Sequence, residues 1–212
     1  MEEKEISQTV VGRLPRYLRY LGELRDEGIE RVSSQELSDI MQVTASQIRQ
    51  DLNTFGGFGQ QGYGYNVDYL YDEIGKILGL NREHRLIIVG AGHLGQALVN
   101  YTNFERRGFL FLGIFDHDPK VCGKEIRGIT VRPMEELADF IRENRIDIAV
   151  LTIPKNSAVE VAELLAACGI KGIWNFAHVD LRLPGHIQVE NVHLSDSLMK
   201  LSYNLSSAAE EL

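Results

Sequence analysis

Cysteine is scarce in this chain. Cys122 and Cys168 are the only two, and neither belongs to a CxxC pair or a Cys/His ligand spacing. That pattern excludes a disulfide framework and a zinc knuckle, so no metal site is expected, and the thiols read as small hydrophobes in a reducing compartment. Long apolar runs are also missing: none approaches the roughly 18–20 residues that span a bilayer. The opening MEEKEISQTV lacks the basic start and apolar core of a secretory leader. No membrane partner and a cytoplasmic location are the expectation. Positive charge is in deficit, with 22 Lys and Arg against 30 Asp and Glu, and within residues 1–80 the balance is 8 against 13. Holding nucleic acid by bulk electrostatics is thereby excluded, and any DNA contact must rest on local geometry.

What is present is ordinary globular material, 44% hydrophobic and 25% charged over 212 residues, enough for one or two cores. Residues 10–80 read as helices with one glycine-rich interruption, and residues 85–190 alternate β-branched runs with helical patterns. The short polar junction 79-GLNRE-83 separates them. In the first region Leu14, Leu18, Leu21 and Leu24 fall at helical spacing, with Pro15 in the first turn and Gly28 at the end. A capping box, Ser33 to Glu36, opens a second helix, and another, Thr44 to Gln47, opens a third whose stripe is Ile48, Leu52 and Phe55. Two short capped helices separated by QVT make a helix-turn-helix. The following 56-GGFGQQGYGY-65, with five glycines and two tyrosines, suits a tight hairpin. A hairpin after such a pair is the layout of a winged helix. A fourth helix, Asn66 to Leu80, packs back on the unit.

In the second region, 86-LIIVGAGHLGQAL-98 joins a strand to a helix through Gly90, Gly92 and Gly95. A second strand ends in Asp116, 21 residues after Gly95. Each part has a reason in dinucleotide binding. Gly90 permits the tight turn, Gly92 lets backbone approach a pyrophosphate, Gly95 lets helix pack on strand, and the helix start at His93–Leu94 presents free amides with Ala91 beside them. Asp116 accepts from the adenosine ribose, with Asp118 its near rival, and 117-HDP-119 offers no arginine for a 2′-phosphate, which favours NAD(H). Strands at 147–152 and 170–176 with intervening helices complete a doubly wound parallel sheet. A small hairpin or extended loop is expected over 124–131, and a helix from Pro133 to Arg145. The division expected is a winged-helix DNA-binding domain over 1–80, a Rossmann-like NAD(H)-binding domain over 81–192 and a C-terminal dimerisation helix over 193–212. The last carries Leu194, Leu198, Leu201 and Leu205 on one stripe that needs a partner.

The helix over 44–56 leaves Ser46, Gln47, Arg49 and Gln50 on its exposed side. Arginine can bridge guanine O6 and N7, and glutamine adenine N6 and N7. Asp51, awkward near phosphates, is expected to fix an arginine. Gln60, Gln61 and Tyr63 of the hairpin, with Arg13 of the first helix, complete the candidate DNA-binding set. A catalytic apparatus is harder to find. No YxxxK follows the third strand, and neither His178 nor His186 has an evident carboxylate partner, Asp180 pointing elsewhere in extended chain. Little chain remains for a substrate domain.

The combination SSQELS…QIRQDL…GYGYNVDYL, followed by IIVGAGHLGQAL and IFDHDP, resembles the bacterial redox-sensing transcriptional repressor family Rex, over about residues 6–206. The resemblance implies a homodimer, not an enzyme, that binds palindromic operator DNA and releases it when NADH binds. It implies that the helix over 194–206 swaps into the partner subunit. Thr152, Ile153 and Pro154, with Asn175 and Phe176, would lie near the nicotinamide, and Arg16, Tyr101 and His193 would couple pocket to helices. The chain departs from the family pattern at Gln60 and Gln61, where Lys or Arg is common, at His193, where Asp is common, and at His178, where Pro is frequent. Two alternatives remain open at this point: a small NAD-dependent dehydrogenase with a helical appendage, and a winged-helix protein whose second domain only dimerises.

Overall fold

A computed structural model describes residues 7–54, 59–60 and 63–209. Phe55 and Gln61 lie outside the described residues. The chain divides into two compact units, Met1–Arg82 and Glu83–Leu212.

The first unit contains α1 (Gln8–Val11), α2 (Leu14–Asp26), β1 (Arg31–Val32), α3 (Ser34–Met41), α4 (Ala45–Thr54), β2 (Gly59–Gln60), β3 (Gly64–Asn66) and α5 (Val67–Ile77). Pro15 sits in the first turn of α2, where its missing N–H is not needed. Ser33 Oγ accepts from Glu36 N at 3.1 Å while Ser33 N donates to Glu36 Oε2 at 2.7 Å, so the first capping box closes. The second closes only halfway. Gln47 N donates to Thr44 Oγ1 at 3.2 Å, but the Gln47 side chain turns to Asp51 instead, because a buried carboxylate needs its donor more than an exposed backbone amide needs an acceptor. Leu14, Leu21, Leu37, Met41, Ile48, Leu52, Leu70 and Ile74 are fully buried together, each such burial contributing about 1.5–3 kcal/mol. The short strands form an antiparallel sheet in the order β1-β3-β2. Gly64, at φ +69°, permits the close β1 pairing, since a Cβ there would lie 2.7 Å from Val32 O.

The second unit runs β4 (His84–Val89), α6 (His93–Asn100), β5 (Phe109–Asp116), β6 (Glu125–Ile126), β7 (Ile129–Pro133), α7 (Leu137–Asn144), β8 (Ile148–Leu151), α8 (Lys155–Ala167), β9 (Gly172–Asn175), β10 (Gln188–Asn191) and α9 (Leu194–Ala209). Its sheet has the order β10-β9-β8-β4-β5-β7-β6. All pairings are parallel except β6 with β7. From β7 through β10 this is the doubly wound order, with the reversal beside β4. The segment 124–131 forms the hairpin, one of the two forms expected there, and its second arm, β7, also joins the main sheet against β5. The helix expected from Pro133 begins at Leu137, because Pro133 still pairs with Asp116 as strand and a 3-10 turn, Met134–Glu136, intervenes. Among the described residues no helix is long and apolar enough to cross a membrane.

Candidate nucleotide site and DNA-facing helix

Three glycines at the end of β4 meet three different demands. Gly90 stands at φ +108°, and a Cβ there would lie 2.7 Å from Thr152 O. A Cβ on Gly95 would lie 2.0 Å from Gly90 O and 2.9 Å from Thr152 Oγ1. Gly92, the N-cap of α6, would meet nothing within 4 Å. Two glycines are therefore demanded by packing, and the third leaves open space before the free amides of a helix start. The turn is pinned from two sides. Thr152 Oγ1 donates to Gly90 O at 2.8 Å, and Ala91 N donates to Asp116 Oδ2 at 2.7 Å.

Asp116 thus has a role the sequence reading did not assign: it holds the glycine turn. Its other oxygen accepts from Asp118 N at 2.9 Å and lies 3.4 Å from His117 Nδ1, and Oδ2 retains a lone pair for a sugar hydroxyl. Asp118 turns its own carboxylate onto Lys120 N, 2.9 Å away, so it caps a turn. A cavity of about 380 Å³ lies among Ala91, Gly92, Asp116, His117 and Pro119. A second, of about 220 Å³, lies among Gly90, Asp116, Met134, Ile153, Pro154 and Ser157. Gly90, Ala91, Gly92, Asp116, Ile153 and Pro154 are thereby brought to one place, at the C-terminal ends of parallel strands, where ligands of such sheets bind. His93 is exposed and Leu94 half-buried at the helix start. Met134 and Ser157 were missed, since each arrives on a different crossover with no local motif.

A further cavity, about 440 Å³, is elsewhere, among Leu86, Phe104, Phe109, Ile148, Trp174 and Val189. It opens at the N-terminal ends of β8, β9 and β10, the wrong end of the sheet for nucleotide, and its lining is mostly apolar. Asn175, expected near the nicotinamide, is fully buried. It donates to Val179 O at 2.7 Å and Asn191 Oδ1 at 2.8 Å and accepts from Ala177 N at 3.0 Å, so it shapes the loop after β9. Cys122 donates its thiol to Asp116 O, and burial and neighbouring carboxylates push its pKa up, consistent with an inert thiol.

On α4, Ile48 and Leu52 face the core while Ser46, Arg49 and Gln50 are exposed. Arg49 donates to Ser34 Oγ at 2.9 Å. Asp51 is fully buried, and the arginine it fixes is Arg13, whose Nε and Nη2 reach it at 2.7 and 2.6 Å. Tyr17 Oη donates to the same carboxylate at 2.9 Å and Gln47 Nε2 at 2.8 Å. Burial alone would raise the Asp51 pKa, but the hydrogen bonds from Arg13, Gln47 and Tyr17 and the guanidinium charge outweigh it and hold it below the carboxylate range. Arg13 is thus turned inward as a tie between α2 and α4, not outward as the sequence suggested. Arg16 Nη2 donates to Met41 O at 2.5 Å, and Arg19 lies over the Tyr20 ring. Tyr63 is exposed on the wing, its carbonyl accepting from Arg31 Nη1 at 3.2 Å. Arg31 places a cation beside the wing, and a two-residue strand gave no pattern by which to find it.

At the head of α9, His193 Nε2 and Asp180 Oδ1 are 2.8 Å apart, and the His178 ring meets His193 edge to face at 5.4 Å. Asp180 therefore partners His193, neither of the two histidines weighed as a base. Tyr101 is exposed and its Oη accepts from Asn103 Nδ2 at 3.1 Å.

Residues 81–179 match the family model described as "CoA binding domain", and residues 5–53 the one described as "Putative DNA-binding protein N-terminus". The redox-sensing transcriptional repressor Rex of Clostridioides difficile (strain 630) is 58% identical over 200 residues, 94% of this chain and 95% of that protein. The chain belongs to the Rex family. A Rex of Thermoanaerobacter pseudethanolicus is 54% identical over 211 residues, 100% of this chain and 93% of that one. A crystal structure of RSP in complex with β-NAD⁺ and operator DNA matches with TM-score 0.91 and 54% identity over 98% of this chain and 95% of that chain. RSP in complex with β-NADH matches with TM-score 0.90 and 51% identity over 98% and 97%. The Rex match spans both units, and a CoA binding description agrees with the glycine turn, since CoA and NAD share an adenosine and a pyrophosphate.

Proposed function

We propose that this protein is a DNA-binding transcriptional repressor that reads the NADH/NAD⁺ state and leaves a palindromic operator when NADH binds. The observation that carries the reading is the joining, in one Rex-family chain, of an exposed recognition-helix face with a glycine turn whose central glycine stands open. The pyrophosphate lies against Gly92 and the amides of His93 and Leu94. Asp116 receives the adenosine ribose, and Thr152, Ile153 and Pro154 border the nicotinamide half. Ser46, Gln47, Arg49 and Gln50 face the major groove, with Tyr63 on the wing. Arg16, Tyr101 and His193 carry the coupling between pocket and helices.

The protein acts as a homodimer in the cytoplasm. Leu194, Leu198, Leu201 and Leu205 of α9 are 53–67% exposed in the single chain, a stripe that the partner subunit covers. A ligand shifts an equilibrium only by its different affinity for two states, and NADH and NAD⁺ differ in ring charge and planarity. Neutral reduced nicotinamide closes the dimer so that its two recognition helices no longer span one DNA turn of ~34 Å. The nucleotide is read and not consumed.

The test is Gly92→Val, whose side chain projects into open space and leaves the fold intact. NADH-driven release of operator DNA disappears in this variant while DNA binding persists. Release that survives the substitution overturns the site, and steady loss of reduced-nicotinamide absorbance with the wild type favours the dehydrogenase reading.

A further inference from the structure

The buried carboxylate of Asp51 has room for four hydrogen bonds, two on each oxygen, and all four are made. Oδ2 takes Arg13 Nε and Tyr17 Oη, and Oδ1 takes Arg13 Nη2 and Gln47 Nε2. An ionised carboxylate only accepts, so the group that Gln47 offers it must be the NH₂. Turning the amide over would set its carbonyl oxygen against Oδ1, lone pair to lone pair, in a site sealed from water. The Gln47 amide therefore has one orientation, and its carbonyl Oε1 points away from Asp51. No hydrogen bond among the described residues uses that oxygen. Gln47 is half-buried, in the first turn of α4 beside exposed Ser46 and Gln50, and it is the start of a recognition helix that meets base edges.

Resting on the DNA-binding reading above, we infer that Asp51 is a positioning residue that makes Gln47 read an amino base, adenine or cytosine, in preference to a keto base. In the major groove adenine N6 and cytosine N4 donate, whereas guanine O6 and thymine O4 accept. Gln47 Oε1 accepts from the first pair and repels the second. Each base pair carries one amino and one keto base, so the discrimination is between the two strands at one position in each half-site. The same arrangement explains an acidic residue on a DNA-facing helix: its charge is neutralised by Arg13, and its use is to fix the direction of a neutral side chain.

The experiment is selection of binding duplexes from a palindrome randomised in both half-sites, read as the base preference at each position. It is run with wild type, Gln47→Met and Asp51→Asn, together with far-UV melting of each protein. Wild type prefers A or C over G or T at one position per half-site, by about tenfold, the weight of one good base contact. Gln47→Met loses the preference at that position and keeps the others. In Asp51→Asn the new amide can donate, Gln47 is freed to turn, and the preference at the same position is lost although Gln47 remains. If Asp51→Asn does not fold, the neutral double variant Arg13→Gln with Asp51→Asn replaces it, and a preference retained in whichever of the two folds overturns the role of Asp51. A Gln47→Met profile identical to wild type, with only a lower melting temperature or uniformly weaker binding, overturns the inference and leaves the repressor reading standing. A wild-type protein that selects no duplex overturns both.

Discussion

Gly92 and Gly95 lie three residues apart on the same turn and answer to different forces, one to a ligand and one to the protein's own backbone. Gly95→Ala drives a Cβ to 2.0 Å from Gly90 O, and the turn must open to accommodate it. A loss of about 1–3 kcal/mol is expected, visible as a lower unfolding midpoint whether or not nucleotide is present. A midpoint equal to wild type contradicts the packing argument. His193 supplies a prediction in pH. Its hydrogen bond to Asp180 raises its pKa, against partial burial that lowers it. A histidine raised in the folded state contributes stability that is complete below the unfolded value, about 6.5, and is lost as pH rises through the folded value. In His193→Gln the urea midpoint therefore loses its fall above that pH. A wild-type and variant difference constant from pH 5 to 8 refutes it.

Among the elements, α4 depends on a tie that no local pattern reveals. Arg13→Ala leaves Asp51 buried without its charge partner, a loss of about 3 kcal/mol or more. The chain's one tryptophan, Trp174, lies in the second unit, so fluorescence follows that unit while far-UV signal follows both. Early loss of helix signal at unchanged fluorescence is the expected result, and coincident transitions at the wild-type midpoint contradict it. Four helices of the first unit were legible because spacing and caps are local: Ser33 with Glu36, Thr44 with Gln47, leucines at three and four apart; the four-residue α1 was not. The edges of the sheets were not. β1 has two residues, and β10, QVEN, alternates half-buried with exposed side chains without a strong apolar run. The candidate site divides the same way. The glycine turn is one contiguous motif and was found whole, whereas Met134 and Ser157 come from separate crossovers. Arg13 and Asp51, 38 residues apart, meet only through tertiary packing, so the acidic residue announced a partner without naming it.

At the scale of the whole molecule, the strand order reverses beside β4, and the glycine turn, Asp116 and Thr152 all emerge at that reversal. The first unit carries an excess of acid over base, so affinity for DNA rests on a few placed side chains instead of a field, and α9 carries an exposed leucine stripe. The proposed function requires that nucleotide state, and not nucleotide presence, decides DNA occupancy. The most direct measurement is fluorescence anisotropy of the protein on a labelled selected palindrome, titrated with NADH and separately with NAD⁺. NADH is predicted to strip the protein from the duplex at concentrations where NAD⁺ leaves it bound. Equal release by the two nucleotides, or by neither, contradicts the account.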